Sequence, residues 1–381
     1  METNRIWLSL AHMGGHEQDF IRQAFDTNWV APLGPNVDAF EHDLETFLAN
    51  NAHVAALVSG TSALHLGLIL LDVQPGDEVI CQSFTFSAST NPIRYQNAVP
   101  VFIDSEKDTW NMSPEHLERA VKDRIAKGKK PKAIIPVHLY GMPAKIEDIL
   151  SVANRYEIPV LEDSAEALGS MYKGIHCGTF GEIAALSFNG NKIITTSGGG
   201  ALVSKKEEWV QKARFLSTQA RDTAPHYQHS QVGYNYRMSN IVAGIGRGQM
   251  QVLPDRVEQR RKNNQYYHQQ LSGIEGISFQ SEPSPDFYSN YWLTTIIIDP
   301  EKTNGITRED LRLVLEKANI ESRPLWKPMH LQPVFSDYPY YGEGISDNLF
   351  EKGLCLPSGS ILTEMDLERV VNVIEQELKN Y

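Results

Sequence analysis

The sequence predicts an α/β protein: a large domain with a mostly parallel central sheet, followed by a smaller C-terminal α+β domain. Three observations carry that expectation. Between residues 54 and 204 short apolar runs alternate with stretches of helical periodicity, the pattern of right-handed crossovers around a sheet covered on both faces. Around residue 255 the alternation stops, and Ser281-Glu282-Pro283-Ser284-Pro285-Asp286 follows as a polar, proline-rich loop. The chain has 381 residues, 41% of them hydrophobic, enough to bury a large core and to divide once. The expected division is 1–254 and 255–381.

Residues 16–28 carry Phe20, Ile21 and Phe25 at helical spacing, and Pro32, Gly34 and Pro35 then fix a loop. A second helix is expected over 36–50, with Val37, Phe40, Leu44 and Phe47 on one face. Strands are expected at 54–58, 78–81, 99–103, 133–137 and 159–163, and helices at 62–71, 87–95, 114–127 and 144–156. Residues 183–188 and 201–204 read as two further strands that can pair as a hairpin. A helix over 206–217 leads to a mobile loop at 218–230, then to a long helix from 240 toward 271, kinked at Pro254. In the C-terminal part a strand is expected over 292–298, and helices over 307–318 and 366–378.

The net charge of −12 argues against a general binder of nucleic-acid backbones. Cys81, Cys177 and Cys355 are few, far apart and without metal-ligand spacing, so no metal is expected and a reducing, cytoplasmic compartment fits best. The start, Met1-Glu2-Thr3-Asn4-Arg5-Ile6, lacks the basic and apolar regions of a secretory signal. No apolar run approaches the ~18 to 20 residues that span a bilayer, so no membrane partner is expected.

Three short segments carry chemistry. Lys192 sits in a small, polar segment between the apolar run 183–188 and Gly198-Gly199-Gly200. Lysines held in such places serve as Schiff-base nucleophiles, because burial disfavours the ammonium form; the plain alternative is a surface lysine in a glycine-rich loop. In Val58-Ser59-Gly60-Thr61-Ser62 a strand runs into a turn that opens a helix, leaving free N–H groups and hydroxyls for a phosphate, or an ordinary N-cap. Asp163 ends a strand at the edge where parallel sheets keep their ligands, where its carboxylate can pair with a ring nitrogen or simply cap a helix. Phosphate cradle, ring-nitrogen acid and lysine, in that order, are the equipment of a pyridoxal phosphate enzyme of the aspartate aminotransferase fold type I.

The chain resembles the DegT/DnrJ/EryC1/StrS family of sugar aminotransferases along nearly its whole length. The likeness lies in Ser59-Gly60-Thr61-Ser62-Ala63-Leu64, Pro136-Val137-His138-Leu139-Tyr140-Gly141, Glu162-Asp163-Ser164-Ala165-Glu166-Ala167, the run from Ser187 to Lys192, and Tyr234-Asn235-Tyr236-Arg237. The resemblance implies that Lys192 forms the internal aldimine with pyridoxal 5'-phosphate and moves the proton of transamination. It implies that Asp163 pairs with the pyridine nitrogen and Phe86 stacks on the ring, while Gly60, Thr61, Ser62 and Ser187 hold the phosphate. Asn235 is expected to reach the phosphate from the other subunit of a homodimer. Glu166 stands where the family commonly has glutamine or histidine near the phenolic oxygen, and a carboxylate there has to hold or share a proton.

Ala11-His12-Met13-Gly14-Gly15, the 28–35 loop and Phe188-Asn189-Gly190-Asn191-Lys192 look most like the branch that aminates C4 of a UDP-linked 4-keto-6-deoxy-N-acetylhexosamine, with L-glutamate as donor, on the route to bacillosamine-type sugars. His138, Arg237, Trp326, Lys327 and His330 are the candidates for nucleotide or sugar contacts. A C3 aminotransferase or a dehydrase on a dTDP- or GDP-linked ketosugar is the rival enzyme, although the dehydrase branch carries histidine where this chain has Lys192. A non-catalytic, cofactor-binding regulator is a further alternative, set back by the acidic charge and the lack of a basic helix-turn-helix segment.

Overall fold

The computed structural model describes residues 4–379. Its centre is a pair of four-stranded sheets joined edge to edge by parallel bridges at Ile134–Val160 and Val137–Asp163. Across the joined sheet the strand order is Tyr340–Tyr341, Val99–Ile103, Glu78–Gln82, Ala133–Ile135, Leu161–Asp163, Ile183–Ser187, Gly200–Ser204 and His53–Leu57. Gly200–Ser204 runs antiparallel to both its neighbours; every other pairing in the sheet keeps one direction. Residues 183–204 thus form the expected hairpin with Lys192 in its connection.

Both faces of the sheet are buried, which is why its strands read as continuous apolar runs. Ala55 and Leu57 pack with Leu64, Leu66 and Leu68 of the helix Gly60–Leu70 on one side. The alternate residues Val54 and Ala56 meet Phe40 and Leu44 of the helix Pro35–Leu48 on the other. Period-two side chains of one strand therefore serve two helical layers.

Two expected helices are interrupted, both beside prolines. Residues 87–95 divide into a 3-10 turn, Ser87–Ser89, and a short helix, Asn91–Tyr95, because Pro92 has no N–H with which to continue the first turn. The long helix expected from 240 toward 271 is two helices, Asn240–Met250 and Leu253–Leu271. The break falls before Pro254, which sits in the first turn of the second helix, where a missing N–H costs nothing.

The C-terminal part forms an antiparallel sheet in the order Ile277–Phe279, Thr294–Ile298, Gly353–Leu356, Arg323–Pro324. Ile296, Ile298, Leu354 and Leu356 pack against Leu311 and Leu315 of Arg308–Lys317 and Val370 and Ile374 of Glu364–Lys379. The chain crosses between the two parts repeatedly: Tyr340–Tyr341 adds to the central sheet, Phe287–Tyr288 pairs with Met171–Tyr172, and Ile6 bridges to Ile320. Among the described residues no helix is long and apolar enough to cross a membrane.

Candidate active site

Residues that follow the carboxyl ends of the parallel strands line one cavity of about 770 Å³, including Ser59, Phe86, Val137, Asp163, Ser187 and, beyond them, Lys192. At one end the helix Gly60–Leu70 begins. Ser59 Oγ accepts the Ser62 N–H at 3.0 Å and Ser62 Oγ accepts the Ser59 N–H at 3.1 Å, a reciprocal capping box. The first-turn N–H groups of Gly60 and Thr61 keep no intrahelical acceptor, so an anion is favoured there. Close packing holds this helix start on the hairpin that carries Lys192: a Cβ on Gly200 would stand 2.3 Å from the Gly60 nitrogen, and one on Gly60 would stand 3.1 Å from Ser187 Cβ. Only glycine at 200 permits that approach.

Asp163 lies deeper. Thr85 donates to Ser89 Oγ at 2.6 Å, Ser89 donates to Asp163 Oδ2 at 2.6 Å, and the Ala165 N–H donates to Oδ1 at 3.1 Å. Burial pushes the Asp163 carboxyl above its ordinary value, while the Ser89 hydroxyl and the Ala165 N–H pull the other way. Phe86 leaves its ring 56% exposed at the cavity, 5.6 Å from Trp326, a bare aromatic platform where an apolar side chain would ordinarily be covered.

The Lys192 amine is 3.3 Å from Glu166 Oε1 and 4.1 Å from the centroid of the Trp292 ring. Glu166 Oε2 accepts the Tyr140 N–H at 2.7 Å. Tyr140, itself at φ +55°, is fixed by the Trp326 N–H donating to its hydroxyl at 3.0 Å. Burial, with the charge of Asp163 adding, raises the Glu166 carboxyl to about 7 against the opposing pull of Lys192 and the Tyr140 N–H. A carboxyl poised there exchanges its proton readily at neutral pH.

These residues fit pyridoxal phosphate. An amine, a helix start ready for phosphate, a buried acid beside an aromatic platform and a proton-labile carboxyl share one cavity. Of the residues expected from sequence, Gly60, Thr61, Phe86, Asp163, Glu166, Ser187, Lys192 and Trp326 line it.

The remaining candidates lie elsewhere, for physical reasons. Ser62 commits its hydroxyl to the capping box. The His138 ring is wholly buried, Nε2 donating to Glu162 at 2.9 Å while Nδ1 accepts the Ala144 N–H at 3.0 Å, so both nitrogens are used within the core. The amide on Nδ1 fixes the tautomer and leaves no free nitrogen for substrate. Arg237 is held by Glu41 and the Ala56 carbonyl, and His330 is stacked on Tyr340 at 3.7 Å between Ser83 and Asp347. Lys327 and Asn235 are exposed and off the cavity wall of the single chain.

Ser9, Trp292 and Cys355 line the cavity without having been singled out from sequence. Ser9 stands in an N-terminal stretch with no motif, and Trp292 and Cys355 belong to strand-like apolar runs. Only the fold carries them to the lysine.

The profile of the DegT/DnrJ/EryC1/StrS aminotransferase family matches residues 12–375. EpsN of Bacillus subtilis, provisionally named a pyridoxal phosphate-dependent aminotransferase, is 51% identical over 97% of this chain and 95% of its own. A GDP-perosamine synthase of Caulobacter vibrioides is 34% identical over 98% of both chains. The crystal structure of a DegT DnrJ EryC1 StrS aminotransferase from Brucella abortus superimposes with a TM-score of 0.88 at 28% identity, covering 95% of each chain. With the geometry above, these likenesses establish that the chain belongs to the DegT/DnrJ/EryC1/StrS aminotransferase family and is a pyridoxal phosphate-dependent sugar aminotransferase.

Proposed function

We propose that the enzyme moves an amino group from L-glutamate to C4 of a UDP-linked 4-keto-6-deoxy-N-acetylhexosamine, supplying a bacillosamine-type glycan precursor. The observation that carries the reading is the convergence of Lys192, Glu166 and Asp163 on one cavity closed by a helix N-terminus. Bound pyridoxal phosphate supplies the electron sink that takes an amino group from a donor and yields it to a ketone. Lys192 carries the proton to and from the substrate carbon through its Nζ. Glu166, 3.3 Å away and poised near neutrality, exchanges a proton with that amine. Asp163, braced by Ser89, keeps a ring nitrogen protonated. The Gly60 and Thr61 N–H groups with the Ser187 hydroxyl hold the phosphate, and Phe86 covers a ring face.

Asn235 is exposed in the single chain and acts from a partner subunit in a homodimer with shared sites. The proposed domain division after 254 falls in the first turn of the helix Leu253–Leu271, and the three buried, free cysteines suit a reducing cytoplasm. The UDP, C4 reading rests on the resemblance of residues 11–15, 28–35 and 188–192. The likeness to a GDP-perosamine synthase favours a GDP-linked ketosugar as the second reading.

The test is turnover with glutamate against UDP-4-keto, GDP-4-keto and dTDP-3-keto sugars, with product analysis. Selective amination of the UDP-4-keto sugar supports the first reading and of the GDP sugar the second. A visible cofactor band that fails to bleach with glutamate overturns glutamate as donor.

A further inference from the structure

Arg260, on the helix Leu253–Leu271, is 1% exposed and has no carboxylate partner among the described residues. An unpaired buried cation is costly unless something retains it. Its Nη donors go to neutral oxygens of three segments far apart in sequence, while its buried Nε has no hydrogen-bond partner among the described residues. Nη1 donates to the Trp292 carbonyl, and Nη2 donates to Ser9 Oγ at 2.9 Å and reaches the Lys192 carbonyl at 3.5 Å. Burial, with the charge of Arg256 adding, pulls this guanidinium down to about 9.

The same three segments are tied again at Asn191, whose carbonyl accepts Ser9 Oγ and Trp292 Nε1, each at 2.7 Å. The contact to the Lys192 carbonyl is long, so the firmer hold on the lysine runs through Ser9 and Trp292. The indole so fixed puts its face 4.1 Å from the lysine amine, within range of a cation–π contact. Leu8 and Ser9 also line the cavity, and Leu8 is stitched to the C-terminal part by Glu321 and the Ser358 N–H.

We infer that Arg260 and Trp292 form a clamp that positions Lys192, and that Ser9 couples this clamp to the N-terminal strap walling the substrate cavity. Arg260 is a positioning residue: its fork spans three oxygens that a lysine ammonium cannot reach together. Displacing the strap turns the indole, and turning the indole misaims the amine. The inference rests on Lys192 being the cofactor-binding amine, as proposed above.

The test uses the full-length protein and the variants Arg260→Lys, Ser9→Ala, Trp292→Phe and Trp292→Leu. Amide hydrogen exchange in the apoprotein reads the coupling, and the absorbance rise on adding pyridoxal phosphate reads capture by Lys192. Ser9→Ala and Arg260→Lys are expected to raise exchange in residues 8–10 and 190–193 together, leaving the central sheet unchanged. Arg260→Lys and Trp292→Leu are expected to slow capture about tenfold or more, as misplacement of a reacting group does, with Trp292→Phe nearer wild type.

Exchange rising only in the substituted segment, or wild-type capture in folded Arg260→Lys and Trp292→Leu, overturns the clamp. If Arg260→Lys does not fold, Ser9→Ala and Trp292→Leu decide the matter on the same readouts. Failure of the wild type to capture the cofactor overturns the proposed role of Lys192 instead, and the exchange result then stands by itself.

Discussion

Glu166 and Asp163 are both buried beside Lys192, and their hydrogen bonds set them apart. Asp163 accepts from Ser89 and from Ala165, whereas Glu166 accepts the Tyr140 N–H and the longer contact from the Lys192 amine and sits near 7. The native state therefore keeps a proton on Glu166 across a window, from 4.5 to about 7, in which the unfolded chain has lost it. Stability is expected to fall as pH rises through that window and level off above it. Glu166→Gln should remove this fall, measured as the melting temperature of the apoprotein across the same range; an unchanged slope would assign the titration to another group. Lys192→Ala should lower turnover by at least about a hundredfold, the usual scale for losing a proton-transferring group, in an assay of amino-sugar product. Lys192 and Asp163 stood out in the sequence because each lies in a short motif, Asp163 at a strand end and Lys192 in the connection that follows one. The need for a proton at Glu166 was readable too, but its poise depends on burial and on Asp163, which only packing sets. His138 stayed ambiguous because a histidine beside a strand end looks the same in sequence whether it faces a ligand or, as here, Glu162.

The helix Gly60–Leu70 shows how an element carries function. Its capping box spends both serine hydroxyls on closing the helix start, which leaves the backbone N–H groups as the ligands of the proposed phosphate. Ser59→Ala is expected to cost about 1 kcal/mol, read as a shifted midpoint of chemical denaturation, and to weaken pyridoxal phosphate binding in a fluorescence titration. Equal affinity in the variant would show that the cap plays no part in anion binding. Long amphipathic helices and buried strands were legible, since periodicity marks them directly. Pro254 marked a break, although the break falls before the proline, whereas the interruption beside Pro92 was not read and the helix was expected to run through it. Two-residue pairings such as Phe287–Tyr288 with Met171–Tyr172 left no local trace, because the partner that creates them is more than a hundred residues away.

At the scale of the whole molecule, the cavity wall draws on both ends of the chain: Leu8 and Ser9 stand beside Trp292, Arg323 and Cys355. Phe25, Trp29, Val30, Leu33, Tyr227 and Val232 are large apolar side chains left exposed in the single chain, which the proposed homodimer would give a partner to cover. If sites are shared, mixing Lys192→Ala with Asn235→Ala chains should restore activity toward about a quarter of wild type, the share of intact sites in a randomly mixed two-fold dimer. Sedimentation should give twice the chain mass; a monomer, or no recovery on mixing, would remove Asn235 from the site. The sequence by itself determined the α/β class, the order of the main strands and helices, and the lysine, aspartate and serine–glycine turn, because these depend on local periodicity and on motifs confined to a few residues. Tertiary structure alone decided that Ser9, Trp292 and Arg260 meet at Lys192, that Glu166 holds its proton near neutrality, and that His138 is sealed in the core. Those outcomes follow from burial and from contacts between distant segments, and neither is encoded within any one stretch of the chain.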